Sequence, residues 1–239
     1  MTTAEKLTAI AENVEKVYKA GQKAEIDAFW NSFFREGRTD FSYAFVNRGD
    51  TSIVPPKVIN ASIASYMLMN CTGLIDGSTI RLNITNKKPN VLSLCMGCVK
   101  LTKPPDISFS EEAHVVRSYV CAFTNCVQLR EAVIWLGDGT QSASGERNDM
   151  ANCFLNCSEL QNLTFTGQGS PKNLDLSSCS KLTYDSYVSL STAVMDVSGE
   201  TSGAYSITVA TGADVVMGED VMTAFADKGW TINVKEATE

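Results

Sequence analysis

Histidine is almost missing from this chain of 239 residues; His114 is the single copy. A histidine-built metal centre is thereby excluded, and histidine-dependent catalysis would have to run through that one side chain. Positive charge is scarce as well. Twenty Lys and Arg stand against 27 Asp and Glu, a formal net charge of −7 with a pI of ≈ 4.9. Nucleic acid and anionic membranes both ask for a basic surface, so no nucleic acid partner is expected. No window approaches the roughly 18 consecutive apolar residues of a membrane helix, so no membrane span is expected either. The opening MTTAEKLTAIAENVEKVYKAG carries Glu5, Glu12 and Glu15 inside its apolar stretch, unlike a secretory signal. Synthesis and residence in the cytoplasm follow, unless the protein leaves inside a larger particle or by lysis. G-x-S-x-G, HExxH, a P-loop and GxGxxG in strand context are absent, and GDGTQSASG lacks calcium-loop spacing. No cofactor is expected.

What the chain does have is core. Hydrophobic residues make up 44% and charged residues 20%, which suits one large domain or two small ones. It also has eight cysteines: Cys71, Cys95, Cys98, Cys121, Cys126, Cys153, Cys157 and Cys179. A reduced birthplace argues against disulfides. Cys95 and Cys98 form a CxxC, but no second pair lies at zinc-site distance. Small buried hydrophobes are the better reading.

The cysteines mark a repeat. Aligned on one cysteine each, the segments are MLMNCTGL (67–74), LCMGCVKL (94–101), AFTNCVQL (122–129), CFLNCSEL (153–160) and DLSSCSKL (175–182). Three residues after Cys71, Cys98, Cys126, Cys157 and Cys179 comes a leucine: Leu74, Leu101, Leu129, Leu160 and Leu182. Three residues before sits an apolar side chain: Leu68, Cys95, Phe123, Phe154 or Leu176. Immediately before is a small or turn-forming residue: Asn70, Gly97, Asn125, Asn156 or Ser178. A degenerate copy, YAFVNRGD, has Phe45 and Asn47 in register and Arg48 in the cysteine position. Spacings from Arg48 onward are 23, 27, 28, 31 and 22 residues. A period of that size predicts a solenoid in which equivalent side chains of successive coils stack into ladders.

After each C-x-x-L comes a short alternation that predicts one parallel strand per coil. Ile80 and Leu82, Ile107 and Phe109, Ala132, Ile134 and Leu136, and Leu163 and Phe165 are expected inward. Arg81, Asn83, Ser108, Val133, Trp135 and Thr164 are then expected outward, as a ligand-binding face with Trp135 an aromatic anchor. GDGTQSASGERND (137–149) reads as an exposed polar loop.

Both ends differ from the repeat. Leu7, Ile10, Val14 and Val17 form one helical seam, followed by Phe29, Trp30, Phe33 and Phe34. That helix either folds over the first coil or pairs with copies of itself. Beyond Leu182, a helix is expected from Tyr184 to Val197, a strand from Ser206 to Ala210, a helix from Gly218 to Lys228 and a strand from Trp230 to Val234. The expected organisation is a helical attachment or capping segment (1–41), a solenoid (42–183) and an α/β cap (184–239).

The repeated F-x-N-C-x-x-L, above all AFTNCVQL and CFLNCSEL, resembles the BspA-like leucine-rich repeats over about residues 42–183. The opening LTAIAENVEKVYKAGQKAEIDAFW, and the ending with TFTG, LDLSSCSKLT and WTINV, are similar to leucine-rich-repeat proteins encoded in phages and prophages of gut Firmicutes. Arg48, Gly97 and Pro104-Pro105 depart from the pattern. The resemblance implies an α/β leucine-rich-repeat solenoid acting as a non-enzymatic binding protein. It would be a tail or virion component touching a protein or cell-surface glycan of the host, with homo-oligomer formation through the N-terminal helix. The alternative is a bacterial cell-surface or secreted adhesin.

Two catalytic arrangements compete with this. His114 could pair with Glu111 or Glu112 and activate Cys121, and Asp106 with Glu131 could supply the two carboxylates of a carbohydrate-active enzyme. Neither has a supporting motif, and a hydrogen-bonded structural histidine and ordinary surface carboxylates are the preferred readings.

Overall fold

The computed structural model describes residues 20–21, 23–25, 27–28, 30–34, 37–49, 55, 57–140, 147–200 and 205–236. They belong to two compact units, one ending at Arg38 and one starting at Thr39. The predicted seam of Leu7, Ile10, Val14 and Val17, and Phe29 beyond it, lie outside the described residues. In the first unit, the described residues between 20 and 33 are helical. The Trp30 ring meets Phe33 edge-on at 5.3 Å and stacks on Phe34 at 5.7 Å, and the Arg38 guanidinium lies 4.7 Å over Phe33.

The second unit is a succession of short parallel strands and tight turns. Its strands are β1 (Ile59–Ala61), β2 (Arg81–Ile84), β3 (Asp106–Phe109), β4 (Glu131–Asp138), β5 (Asn148–Asp149), β6 (Asn162–Gln168), β7 (Pro171–Lys172) and β8 (Asp175–Leu176). Then follow α1 (Tyr184–Ala193), β9 (Ser206–Val209), α2 (Ala213–Asp227) and β10 (Thr231–Val234). The sheets run β1-β2-β3, β4-β6, β5-β7 and β8-β9-β10, and every pair is parallel.

The cysteine segments are turns, and their geometry explains the repeat. In the four segments from Met67 to Leu160, one i→i+3 backbone hydrogen bond is followed by another; in the fifth, Asp175 and Leu176 belong to β8 and a single turn leads to Cys179. Cys126 N–H donates to Phe123 O at 3.0 Å just after Ala122 N–H donates to Tyr119 O at 2.9 Å. Such a double turn needs a left-handed residue at its end. Asn47, Asn70, Asn125 and Asn156 have φ of 61°, 57°, 62° and 62°, and Gly97 has 76°. Asparagine tolerates this region better than most residues, and glycine enters it freely.

Consecutive turns bond to one another along the chain. Phe45 N–H reaches Met67 O, Leu68 N–H reaches Leu94 O, Cys95 N–H reaches Ala122 O and Phe123 N–H reaches Cys153 O, at 2.8–3.0 Å. Side chains add rungs: Asn70 Nδ2 donates to Asn47 Oδ1 at 3.1 Å, and Asn156 Nδ2 to Asn125 Oδ1 at 2.8 Å. At Gly97 the amide row stops, because a Cβ there would fall 2.2 Å from Asn70 Oδ1.

The thiols do more than fill space. Cys71 Sγ donates to Phe45 O at 2.9 Å, Cys98 to Leu68 O at 3.0 Å, Cys126 to Cys95 O at 3.0 Å and Cys157 to Phe123 O at 3.1 Å. Cys179 makes the longer equivalent bond to Phe154 O, 3.8 Å. Each S–H thus ties its turn to the carbonyl of the preceding one. All eight cysteines are free. Burial pushes the Cys157 thiol up to about 12, so it stays a donor at neutral pH.

Three expectations need correction at the C-terminal end. The first helix stops at Ala193, not Val197, because Val194 is extended and bridges Gly169. The second starts at Ala213 and kinks at Gly218, whose φ is 69° and ψ 175°. The strand expected to reach Ala210 ends at Val209. Polar contacts that composition does not announce hold this end together. α1 lies along β6: Leu163 N–H donates to Ser186 Oγ at 3.0 Å and Phe165 N–H to Ser189 Oγ at 3.2 Å. Two serines therefore satisfy strand amides where another strand would otherwise pair, which blunts the edge. Lys228 Nζ donates to Ser191 O, Thr192 O and Val194 O at 2.7–3.0 Å, capping the negative end of α1.

Among the described residues no helix is long and apolar enough to cross a membrane.

Candidate functional site

The strand rows do not run through. β3 pairs with β2, and β4 pairs with β6, but β3 and β4 are not partners. The two segments touch at either end of this break. Arg130 N–H donates to Thr102 O at 3.0 Å before it, and Asp138 N–H donates to His114 O at 3.1 Å after it. Between those points the backbones part. Pro104 and Pro105 stand immediately before β3 and bring no N–H for strand pairing. Lys103 Nζ bonds Glu131 Oε1 across one end at 2.9 Å.

The parting leaves a slot of about 530 Å³. Its deep wall is core: Leu94, Ala122, Phe123 and Ile134 are all at most 2% exposed. Tyr119 lines it too, its hydroxyl donating to Trp135 O at 2.9 Å. Burial keeps that phenol far above its ordinary range, and it stays protonated. Phe109 and Trp135 stack across the gap with ring centroids 5.1 Å apart. The mouth is polar, with Ser108, Ser110, Glu111, Asp138 and Thr166. Ser110 Oγ is buried and has no hydrogen-bond partner.

Asp138 is tightly organised. Its Oδ2 accepts from His114 Nδ1 at 2.7 Å, and its Oδ1 accepts from Thr140 Oγ1 at 2.6 Å and Thr140 N–H at 3.0 Å. Those bonds, the histidine's first, hold the carboxyl down at about 2. The bond orients His114 with its Nδ1 proton toward the carboxylate.

Six outward residues were expected to form one face, and three of them border the slot. Ser108, Val133 and Trp135 line the slot. Arg81 and Asn83 lie on β2, where Asn83 Nδ2 donates to Asn60 Oδ1 at 2.9 Å and Ser108 Oγ is 3.4 Å from Asn83 Oδ1. Thr164 is exposed on β6 opposite Val133. Trp135 is half-buried rather than a free platform, because Phe109 covers one face and a Cβ at Gly167 would meet its Nε1 at 2.8 Å. Ile107 and Phe109, expected inward, are half-buried for the same reason: they border the slot.

His114 pairs with Asp138, while Glu112 pairs with Lys87 at 3.1 Å. Cys121 sits in a turn with φ 55°. Glu131, offered as half of a carboxylate pair, is engaged by Lys103. No group of three or more His, Cys, Asp or Glu among the described residues is placed to hold a metal ion. The polar loop 137–149 is shorter than expected: Gly137 and Asp138 belong to β4, Asn148 and Asp149 form β5, and residues 141–146 lie outside the described residues. Tyr119, Ser110 and Thr166 were not anticipated, and Glu111 was considered only as a partner of His114. The doubled proline and the long polar SEEAHVVRS after β3 are the signals that could have pointed to them.

No protein-family model, curated protein or solved structure matches this chain.

Proposed function

We propose that this chain is a leucine-rich-repeat solenoid that works as a non-enzymatic binding protein, with its contact surface at the break between β3 and β4. The observation that carries the reading is the slot itself: an apolar, aromatic-walled opening with a polar rim, in the size range of ligand sites. Parallel strand pairs and turn-to-turn hydrogen bonds at intervals of one sequence repeat support the solenoid part. The likeness of the opening and closing segments to phage-encoded leucine-rich-repeat proteins supports a tail or virion component that touches a host surface protein or glycan.

Retention of the purified full chain on whole bacterial cells and on their isolated wall polysaccharides tests the reading. Retention is expected for the native protein and is expected to fall for Val133→Asp, which places a charge on a rim residue that is 64% exposed. Equal retention of both proteins, or none of either, counts against the contact surface. Light scattering of the intact chain against one lacking residues 1–25 tests homo-oligomer formation, and equal subunit numbers retire it.

A further inference from the structure

The slot has a chemical preference written in its lining. Its deep wall is carbon, from Leu94, Ala122, Phe123 and Ile134. Among the described residues, its charged lining residues are Glu111 and Asp138, and no Lys, Arg or His lines it. Asp138 is already engaged by His114 and Thr140. Glu111 is different: it is exposed and makes no ion pair or hydrogen bond among the described residues. Beside it, Ser110 Oγ is buried without a partner, an arrangement proteins seldom leave unanswered. The stacked rings of Phe109 and Trp135 present π-electron density at the same opening.

We infer that the slot binds a small cationic amphiphile, an ammonium group carrying one aromatic or branched alkyl arm. This deepens the binding-platform reading and rests on its placing of contact at the slot. The apolar arm lies on Leu94, Phe123 and Ile134. The ammonium stays at the rim, donating to the Glu111 carboxylate, with the aromatic rings alongside. An anionic amphiphile of the same shape would bring its carboxylate against two others with no cation in the lining to receive it.

Three probes with the same phenylethyl arm separate charge from shape: 2-phenylethylammonium, 2-phenylethanol and 3-phenylpropanoate, titrated calorimetrically into the full chain at neutral pH. The ammonium is expected to bind tightest and the carboxylate weakest. Glu111→Gln is expected to weaken the ammonium about fivefold, the size of a partly exposed ion pair, and to leave the alcohol unchanged. Phe109→Ala removes a wall and is expected to weaken ammonium and alcohol alike. Binding of the carboxylate as tight as the ammonium, or no saturable binding of any probe, overturns the inference, as does equal loss of ammonium and alcohol in Glu111→Gln. Retention on wall polysaccharide without probe binding retires this inference and leaves the platform reading standing. Ammonium binding without retention does the reverse.

Discussion

The two long rows of this molecule are built from the same repeats and differ in continuity. On the turn side, every junction from Phe45 to Cys157 is closed by backbone bonds and a thiol, and two of the four junctions add an asparagine amide. On the strand side, the row opens between β3 and β4. The aromatic pairs make the contrast concrete. Phe123 and Phe154 stack at 5.7 Å in the core, both at most 2% exposed, whereas Phe109 and Trp135 stack at 5.1 Å over a slot and remain half-buried. Closure on one side buries its aromatic pair, and the opening on the other leaves its pair partly exposed.

Breaking the closed side should cost most. Phe154→Ala leaves a cavity in a wall without slack and is expected to lower unfolding free energy by about 3–5 kcal/mol in urea titrations. Asn125→Ala strains a left-handed residue and removes an amide rung, with an expected loss of about 2 kcal/mol; Asn125→Gly keeps the backbone and should lose about half of that. Cys126→Ala deletes one thiol bond and a little volume, for about 1 kcal/mol. A loss no larger than that of a surface substitution would show that the thiol bond carries nothing.

On the open side the effects shrink. Phe109→Ala should cost about 1 kcal/mol or less, because its ring already faces space. If it costs as much as Phe154→Ala, the contrast between the rows collapses. Asp138 sharpens the comparison through pH. Its folded carboxyl titrates at about 2, below the unfolded value near 3.9, so its stabilising effect is present above about pH 4 and is lost as pH falls toward 2. Thermal melts of native protein and Asp138→Asn should differ at pH 6 and converge at pH 2, and a constant difference would remove Asp138 from the account.

Much of the turn side was legible. The asparagine or glycine before four of the five repeat cysteines, and the leucine after each, mark a turn whose φ constraint acts within a few residues, so local sequence suffices to announce it. The thiol as hydrogen-bond donor was not legible. Cys126 reaches Cys95 O, 31 residues away, and only the stacked backbone brings that carbonyl into range. The same holds for Lys228, whose ammonium meets the end of α1 from 34–37 residues away. The candidate site was legible in part. Ser108, Val133 and Trp135 follow from strand alternation, but Tyr119, Ser110 and Glu111 belong to the site only because the strands separate.

By itself, then, the amino-acid sequence determined where the chain turns, which side chains are buried and how often the pattern returns, since these depend on backbone conformation and the exclusion of apolar groups from water. Only the tertiary structure decided which neighbouring strands pair and which stand apart. Pairing is a contest between amides distant in the chain, which local sequence does not announce. The slot is what that contest left open.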